Sequence, residues 1–206
     1  DMHFDGTQAA DAIQGLDSLL PISANNTGIS GGLSRVTFAW WRHYVKTGIT
    51  TTTIADDMET AWRACIKRGK GRPDLILAGS EFIDAYRKSS LNAATGAVRQ
   101  VIVSGKGGVD VDNSVNELFY KGVPIQYAPE FDDNFGGAQN PTIPWTRRCY
   151  FINTNHLQLR PIDGSDFVNR TPVSPANQYV LYMALLWRGA LTMNLPSAHA
   201  ALSLAP

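Results

Sequence analysis

The chain has 206 residues, enough for one domain or two small lobes, and it is 44% apolar but only 17% charged. A typical soluble protein is about 25% charged, so part of this surface is expected to face other protein rather than water. The 18 basic and 18 acidic residues cancel, which disfavours the tight, sequence-independent nucleic-acid binding that rests on a basic excess. No run of 18 apolar residues is present to span a membrane as a helix. Five Trp, seven Tyr and eight Phe fit an interface and an aromatic-rich core equally well.

Residues 1–50 read as mostly extended or irregular, because Gly15, Pro21, Asn25, Asn26, Gly28, Gly31 and Gly32 interrupt any long period. The stretch Arg35–Val45 carries Phe38, Trp40, Trp41 and Tyr44 and needs a cover. The β-branched run Thr50–Thr53 suits a strand end or a helix lead-in. A helix is predicted over Thr53–Arg68. Thr53 stands at its N-cap, and Asp56, Asp57 and Glu59 lie near its positive end. Ile54, Met58, Ala61, Trp62, Cys65 and Ile66 recur on one face. Gly69 or Gly71 ends it, and Pro73 forces extended chain.

Leu75–Ala78 reads as a short strand. Ser80 then caps a second helix, with Phe82, Ile83 and Tyr86 on one face. Residues 89–97 are polar loop, Val98–Val103 alternates like a strand, and Gly105, Gly107 and Gly108 make a turn. The two flanks of Lys121-Gly122, Glu117–Tyr120 and Val123–Tyr127, form a β-hairpin. Residues 128–148 are a long Pro-, Asp-, Asn- and Gly-rich loop. Cys149–Asn153 and Leu157–Arg160 are strands, residues 161–177 a Pro-rich excursion, and Tyr179–Met193 mainly strand, with helix left open by periodicity alone. This mixed order of elements is that of an α+β protein.

Few residues are arranged for chemistry. Gly105-Lys106-Gly107-Gly108 lacks the spacing that wraps phosphate on a helix N-terminus. Asp110-Val111-Asp112-Asn113 begins like a calcium loop but has neither the turn glycine nor the closing glutamate. Cys65 and Cys149 form neither a disulfide framework nor a zinc-ligand spacing. They are expected to be reduced, unpaired core residues, and the pairs Cys149–His156 and Cys65–His43 match no local nucleophile signature. Glu130, Asp132 and Asp133 read as a solvated loop. The sequons Asn25-Asn26-Thr27 and Asn169-Arg170-Thr171 carry no weight without secretory context. No catalytic, cofactor or metal site is expected. A small cysteine hydrolase built on Cys149 and His156, and a monomeric binding module using the 128–148 loop, are the alternatives of other classes.

Four ordered segments resemble the major capsid protein of tailed bacteriophages. The first is Gly15-Leu16-Asp17-Ser18-Leu19-Leu20-Pro21 with Gly31-Gly32-Leu33-Ser34-Arg35 and Phe38-Ala39-Trp40-Trp41-Arg42. The second is Lys70-Gly71-Arg72-Pro73-Asp74-Leu75-Ile76-Leu77. The third is Glu117-Leu118-Phe119-Tyr120-Lys121-Gly122-Val123-Pro124-Ile125 with Cys149-Tyr150-Phe151-Ile152-Asn153-Thr154. The fourth is Gln178–Asn194, with Arg188-Gly189-Ala190-Leu191. The resemblance implies the Hong Kong-type capsid fold, with a peripheral lobe of spine helix and strands and an axial lobe of central sheet and helices. It implies residues 1–52 as a remnant of an extended N-terminal region, 53–71 as the spine helix, 72–160 as mainly the axial lobe, and 161–206 as strands returning to the peripheral lobe.

By the same resemblance, the chain is a shell subunit that joins itself in pentamers and hexamers, meets scaffold and portal proteins during assembly, and touches packaged DNA weakly. It would be assembled in the bacterial host cytoplasm and end in the virion, with no membrane partner. An encapsulin-like compartment is the alternative of the same fold. Candidate intersubunit contacts are Trp40, Trp41, Arg42, Phe131, Phe135 and Trp145, the residue types that dominate such interfaces, although the Trp pair could equally pack beneath the helix. Because only 52 residues precede that helix, an arm and much of an extended loop are expected to be missing. The chain is then expected to fold as a compact subunit without closing shells.

Overall fold

The computed structural model describes residues 15–23, 29–69, 71–91, 118–132, 143–170 and 183–206. In chain order they form a one-turn helix α1 (Leu16–Leu19), a hairpin of β1 (Ile29–Ser30) and β2 (Leu33–Ser34), strand β3 (Tyr44–Ile49), helix α2 (Ile54–Gly69), strand β4 (Leu75–Ala78) and helix α3 (Ser80–Leu91). Then follow β5 (Leu118–Tyr120), β6 (Val123–Tyr127), β7 (Arg148–Ile152), β8 (Leu157–Pro161), β9 (Val168–Arg170), β10 (Ala184–Leu186), β11 (Gly189–Met193) and β12 (Ala200–Leu204). The expected strand at 98–103, the glycine turn at 105–108, the acidic turn at 110–113 and the start of the Tyr179–Met193 segment lie outside the described residues.

The frame is a six-stranded mixed sheet in the order β3-β12-β7-β4-β6-β5. β12 runs parallel to β3 and antiparallel to β7, β7 antiparallel to β4, β4 parallel to β6, and β6 antiparallel to β5. Side chains alternate across a strand, and in the middle of this sheet both faces are covered. In β7, Cys149 and Phe151 join one apolar cluster while Tyr150 and Ile152 join another. The first cluster is roofed by α2 and α3 through Ile54, Met58, Trp62, Cys65, Phe82 and Ile83. The second is closed by Leu16, Leu19, Leu20 and Ile22, by Phe131 and Trp145, and by the half-buried Leu157, Leu191 and Met193. The first cluster includes Ile49, α2, the sheet and Leu202, so residues before, within and after α2 share one packed core.

Helix α2 follows the sequence period with two corrections. The Thr53 carbonyl accepts from the Asp56 and Asp57 N–H groups at 3.0 and 2.9 Å, but its hydroxyl turns back to accept from Thr50 N–H at 3.2 Å. It therefore closes the preceding turn instead of capping the helix. Ile66 is 45% exposed, whereas Met58 and Cys65 are fully buried. At 3.6 residues per turn Ile66 lies about 120° from Ile54, beyond Trp62 and off the buried stripe. Glu59 on α2 receives Arg63 Nε at 2.8 Å, the Tyr120 hydroxyl at 3.1 Å and the Lys121 ammonium, which ties the β5–β6 hairpin to the helix. That hairpin turns on Lys121 and Gly122, both left-handed at φ 51° and 82°, the conformation a two-residue turn between twisted strands needs.

Ser80 is the first residue of α3 rather than its cap. Its hydroxyl donates to Asp132 Oδ1 at 2.7 Å, and the Gly79 carbonyl accepts from Ile83 N–H at 3.1 Å. Glycine is required before the helix because a Cβ there would lie 2.5 Å from the Thr146 carbonyl oxygen. β8 pairs with β11 and β9 with β10, all antiparallel. The bonds Ile162 N–H to Arg188 O (2.8 Å) and Arg188 N–H to Ser165 O (3.0 Å) join the two pairs into one kinked ribbon.

Met58→Ala should lower unfolding free energy by about 2–5 kcal/mol, the cost of a cavity in a tight core. Ile66→Ala should cost under about 1 kcal/mol, as half-exposed positions do. Urea denaturation of the two variants measures both, and equal losses would show Ile66 to be packed as deeply as Met58.

Candidate functional site

Segment Arg35–His43 links β2 to β3, and it turns its basic groups inward and its aromatic groups outward. The β1–β2 hairpin delivers it through Gly31 and Gly32, both left-handed at φ 58° and 79°. Arg35 is 2% exposed and donates through Nη2 to the Leu19 carbonyl. Arg42 donates through Nε to the Arg35 carbonyl and through Nη2 to the Val36 carbonyl at 2.9 Å. His43 is 2% exposed, and its Nε2 lies 2.9 Å from the Pro21 carbonyl; a carbonyl only accepts, so the proton sits on Nε2. The Arg35 and His43 bonds stitch the segment to α1 and the chain just after it, while those of Arg42 close the segment on itself.

Between these anchors, Ala39–Trp41 forms a 3₁₀ turn, and Phe38 N–H bonds to the Ser34 carbonyl at 3.0 Å. Val36 and Trp40 are each 59% exposed and Phe38 is 37% exposed. Trp40 meets Trp41 edge-on at 5.6 Å and Phe38 at 5.9 Å, geometries that favour aromatic pairs. The result is an apolar knob on a polar footing.

Of the residues anticipated as contacts, Trp40 lies on this knob, while Trp41 and Arg42 are half-buried, with the Arg42 guanidinium committed to carbonyls of its own segment. Phe131 and Trp145 are core residues at 1% and 7% exposure, with ring centres 5.4 Å apart. The long loop folds back through 3₁₀ turns at Pro129–Phe131 and Trp145–Arg147, which lay these rings against Tyr150 and beneath the Arg148 guanidinium, 4.0 Å from the Trp145 ring centre. They present almost no surface to a neighbour. Phe135 lies outside the described residues.

Several polar anchors carry no local sequence signal. Arg148, buried in β7, donates to Asp17 Oδ1 at 3.0 Å and to the Ile143 carbonyl at 3.1 and 2.8 Å, and Tyr150 donates to the same Asp17 oxygen at 3.3 Å. His199 is fully buried, and its Nδ1 accepts from the Asn153 N–H at 3.2 Å.

Both cysteines are fully buried and unpaired. Burial pushes the Cys65 thiol up to about 12 and the Cys149 thiol higher still, the opposite of a nucleophile's requirement. His156 pairs through Nδ1 with Asn194 Oδ1 at 2.8 Å, and His43 with Pro21. Both thiols are thus held protonated, as the weak local signal of the Cys149–His156 and Cys65–His43 pairs led one to expect. Among the described residues, no group of three or more His, Cys, Asp or Glu is placed to hold a metal ion, and no helix is long and apolar enough to cross a membrane.

Burial, aided by the charges of Arg35 and His199, holds His43 down to about 3 against the opposing hydrogen bond to Pro21. Burial, aided by His156 and opposed by Asp74, holds His199 down to about 4. Both fold as neutral imidazoles, whereas the unfolded chain takes up their protons near 6.5. Their contribution to stability is therefore complete above about pH 6.5. It is lost as pH falls towards 4 and then 3, at up to about 1.4 kcal/mol per pH unit per histidine. Urea titrations at pH 7, 6 and 5 should show this decline, and a combined His43→Gln and His199→Gln variant should flatten it; an unchanged slope would assign the loss to other groups.

No family model matches the sequence, and no curated protein does. A solved structure of the cyanophage A-1(L) capsid asymmetric unit is similar, with a TM-score of 0.61 and 17% identity over 95% of this chain. The chain spans 61% of that neighbour's length. At this identity the likeness is one of fold: a mixed central sheet with few helices, arranged as in a phage capsid protein.

Proposed function

We propose that the protein is a structural subunit of a bacteriophage shell and that it works by self-association rather than chemistry. The observation that carries this reading is the likeness to a capsid chain across 95% of the residues. In this reading, identical subunits meet head to tail and close into rings of five and six. The rings join into a shell that encloses the genome, with scaffold and portal proteins as partners during assembly in the bacterial cytoplasm. The zero formal net charge favours weak, unspecific contact with the packaged DNA.

The Phe38–Trp40 knob is our candidate contact, with Trp41 and Arg42 as its support and Phe135 as a further candidate. A rigid aromatic held by the main chain loses little freedom on binding, which is why such residues dominate interface energetics.

Expression from the complete reading frame, followed by sedimentation and negative-stain microscopy, tests the reading. Closed shells or rings are expected, and a monomer that persists at high concentration would overturn it. Trp40→Glu should leave the thermal midpoint unchanged while weakening self-association at least tenfold, by about 1.4 kcal/mol or more. Unaltered assembly by this variant would remove Trp40 from the contact.

A further inference from the structure

From the geometry of the β8–β11 ribbon we infer that its apolar rail is a docking surface for a second copy of this chain, an inference that rests on the shell-subunit reading. A two-stranded ribbon is marginally stable alone, and among the described residues the base of this one is anchored. The cross-strand pairs Leu157–Met193 and Leu159–Leu191 share a face, and Leu157, Leu191 and Met193 pack against the second core. Beyond that base the ribbon leaves further apolar side chains uncovered. Leu159 is 50% exposed, Trp187 lies across Gly189 where no side chain fits, and Phe167 sits 6.4 Å from Trp187. Ile162, Phe167, Met183 and Leu185 are 60%, 64%, 78% and 68% exposed.

Three further observations select protein of the same kind as the occupant. First, composition: residues 157–169 and 183–193 contain Phe, Trp, Met and Arg but no Lys or Glu. Interface cores favour the former set, whereas the exposed edge strands of monomers are usually blunted with charge, Lys above all. The charges of the ribbon's described strands and turns, Arg160, Asp163, Asp166, Arg170 and Arg188, sum to only +1, so repulsion between two copies is small. Second, Phe167 is held at φ +47°, a conformation costly for a bulky residue, and the strained residue points its ring largely into solvent. Third, area: the five exposed side chains leave on the order of 600 Å² uncovered, large for a monomer. A matching surface on a second copy brings the total to about 1,200 Å², past the ~1,000 Å² a specific interface needs.

The test uses the full-length protein and two measurements. Hydrogen exchange at low and high concentration should show amides of 157–169 and 183–193 becoming protected as copies associate. The variant Leu159→Gln/Phe167→Asn/Leu185→Gln, with Asn chosen because it tolerates the left-handed backbone, should keep the wild-type urea midpoint and weaken association at least a hundredfold. Protection that is the same at every concentration would overturn the proposal by showing that the chain covers its own ribbon. So would wild-type association by the variant, or no association of the wild type at all. If copies pair through the ribbon but never form rings or shells, the shell reading fails and this one stands. If shells close with the ribbon amides still exchanging freely, this proposal fails and the shell reading stands.

Discussion

Strand β12 is the piece on which the rest of the sheet depends. It enters between β3 and β7, and Pro196 to Ser203 are buried throughout. Strand β3 has no other neighbour in the sheet. It is held by the β12 ladder and by the bonds Tyr44 N–H to His199 O (3.1 Å) and Ala205 N–H to Ile49 O (2.8 Å). The small side chains of Ala198, Ala200 and Ala201 allow close packing on both faces, with α2 lying against Pro196–Ala198 and β12. A larger residue there would push the helix off the sheet, and overpacking of a tight interior costs as cavities do.

The surface features inherit their rigidity from this arrangement. Segment 35–43 runs directly into β3, so the aromatic knob stands on a strand that β12 fixes. Its footing is electrostatic as well as apolar: Arg35 and His43 bond to main-chain carbonyls of the α1 region, while Asp17 of α1 reaches Arg148 in β7. Burying such groups is costly unless each finds a partner, and the pairings here join segments far apart in the chain. They tie the N-terminal segment to the sheet through side chains of both.

What was legible in the sequence followed from one-sided burial. α2 faces the core on one side and water on the other, so its period shows, and only Ile66 at the stripe's edge misleads. The Lys121-Gly122 hairpin announces itself through backbone geometry that few residues tolerate. β12 is silent for the opposite reason. A strand covered on both faces has no alternation to detect, and Ala200, Ala201 and Ser203 are poor strand formers. Phe131 and Trp145 look like surface aromatics because they sit in a Pro-rich loop, yet that loop returns to the sheet. Arg148 reads as a strand-flanking charge, since its partner Asp17 stands at the other end of the chain.

The late position of β12 also sets a clock. Roughly 150 residues separate the start of β3 from that of β12, and at about 5–20 residues per second a ribosome needs on the order of 10–30 s to bridge them. Throughout that interval β3 has no ladder, and once β7 has been made its β12-facing edge presents the unpaired backbone of Arg148-Cys149-Tyr150-Phe151. This apolar edge is one that another nascent chain could occupy. On a crowded polysome the chain is thus vulnerable to mispairing from the emergence of β7 until β12 follows it. Its aromatic knob gains its footing only when β12 slots home, so translation itself delays the moment at which that knob is fixed in place.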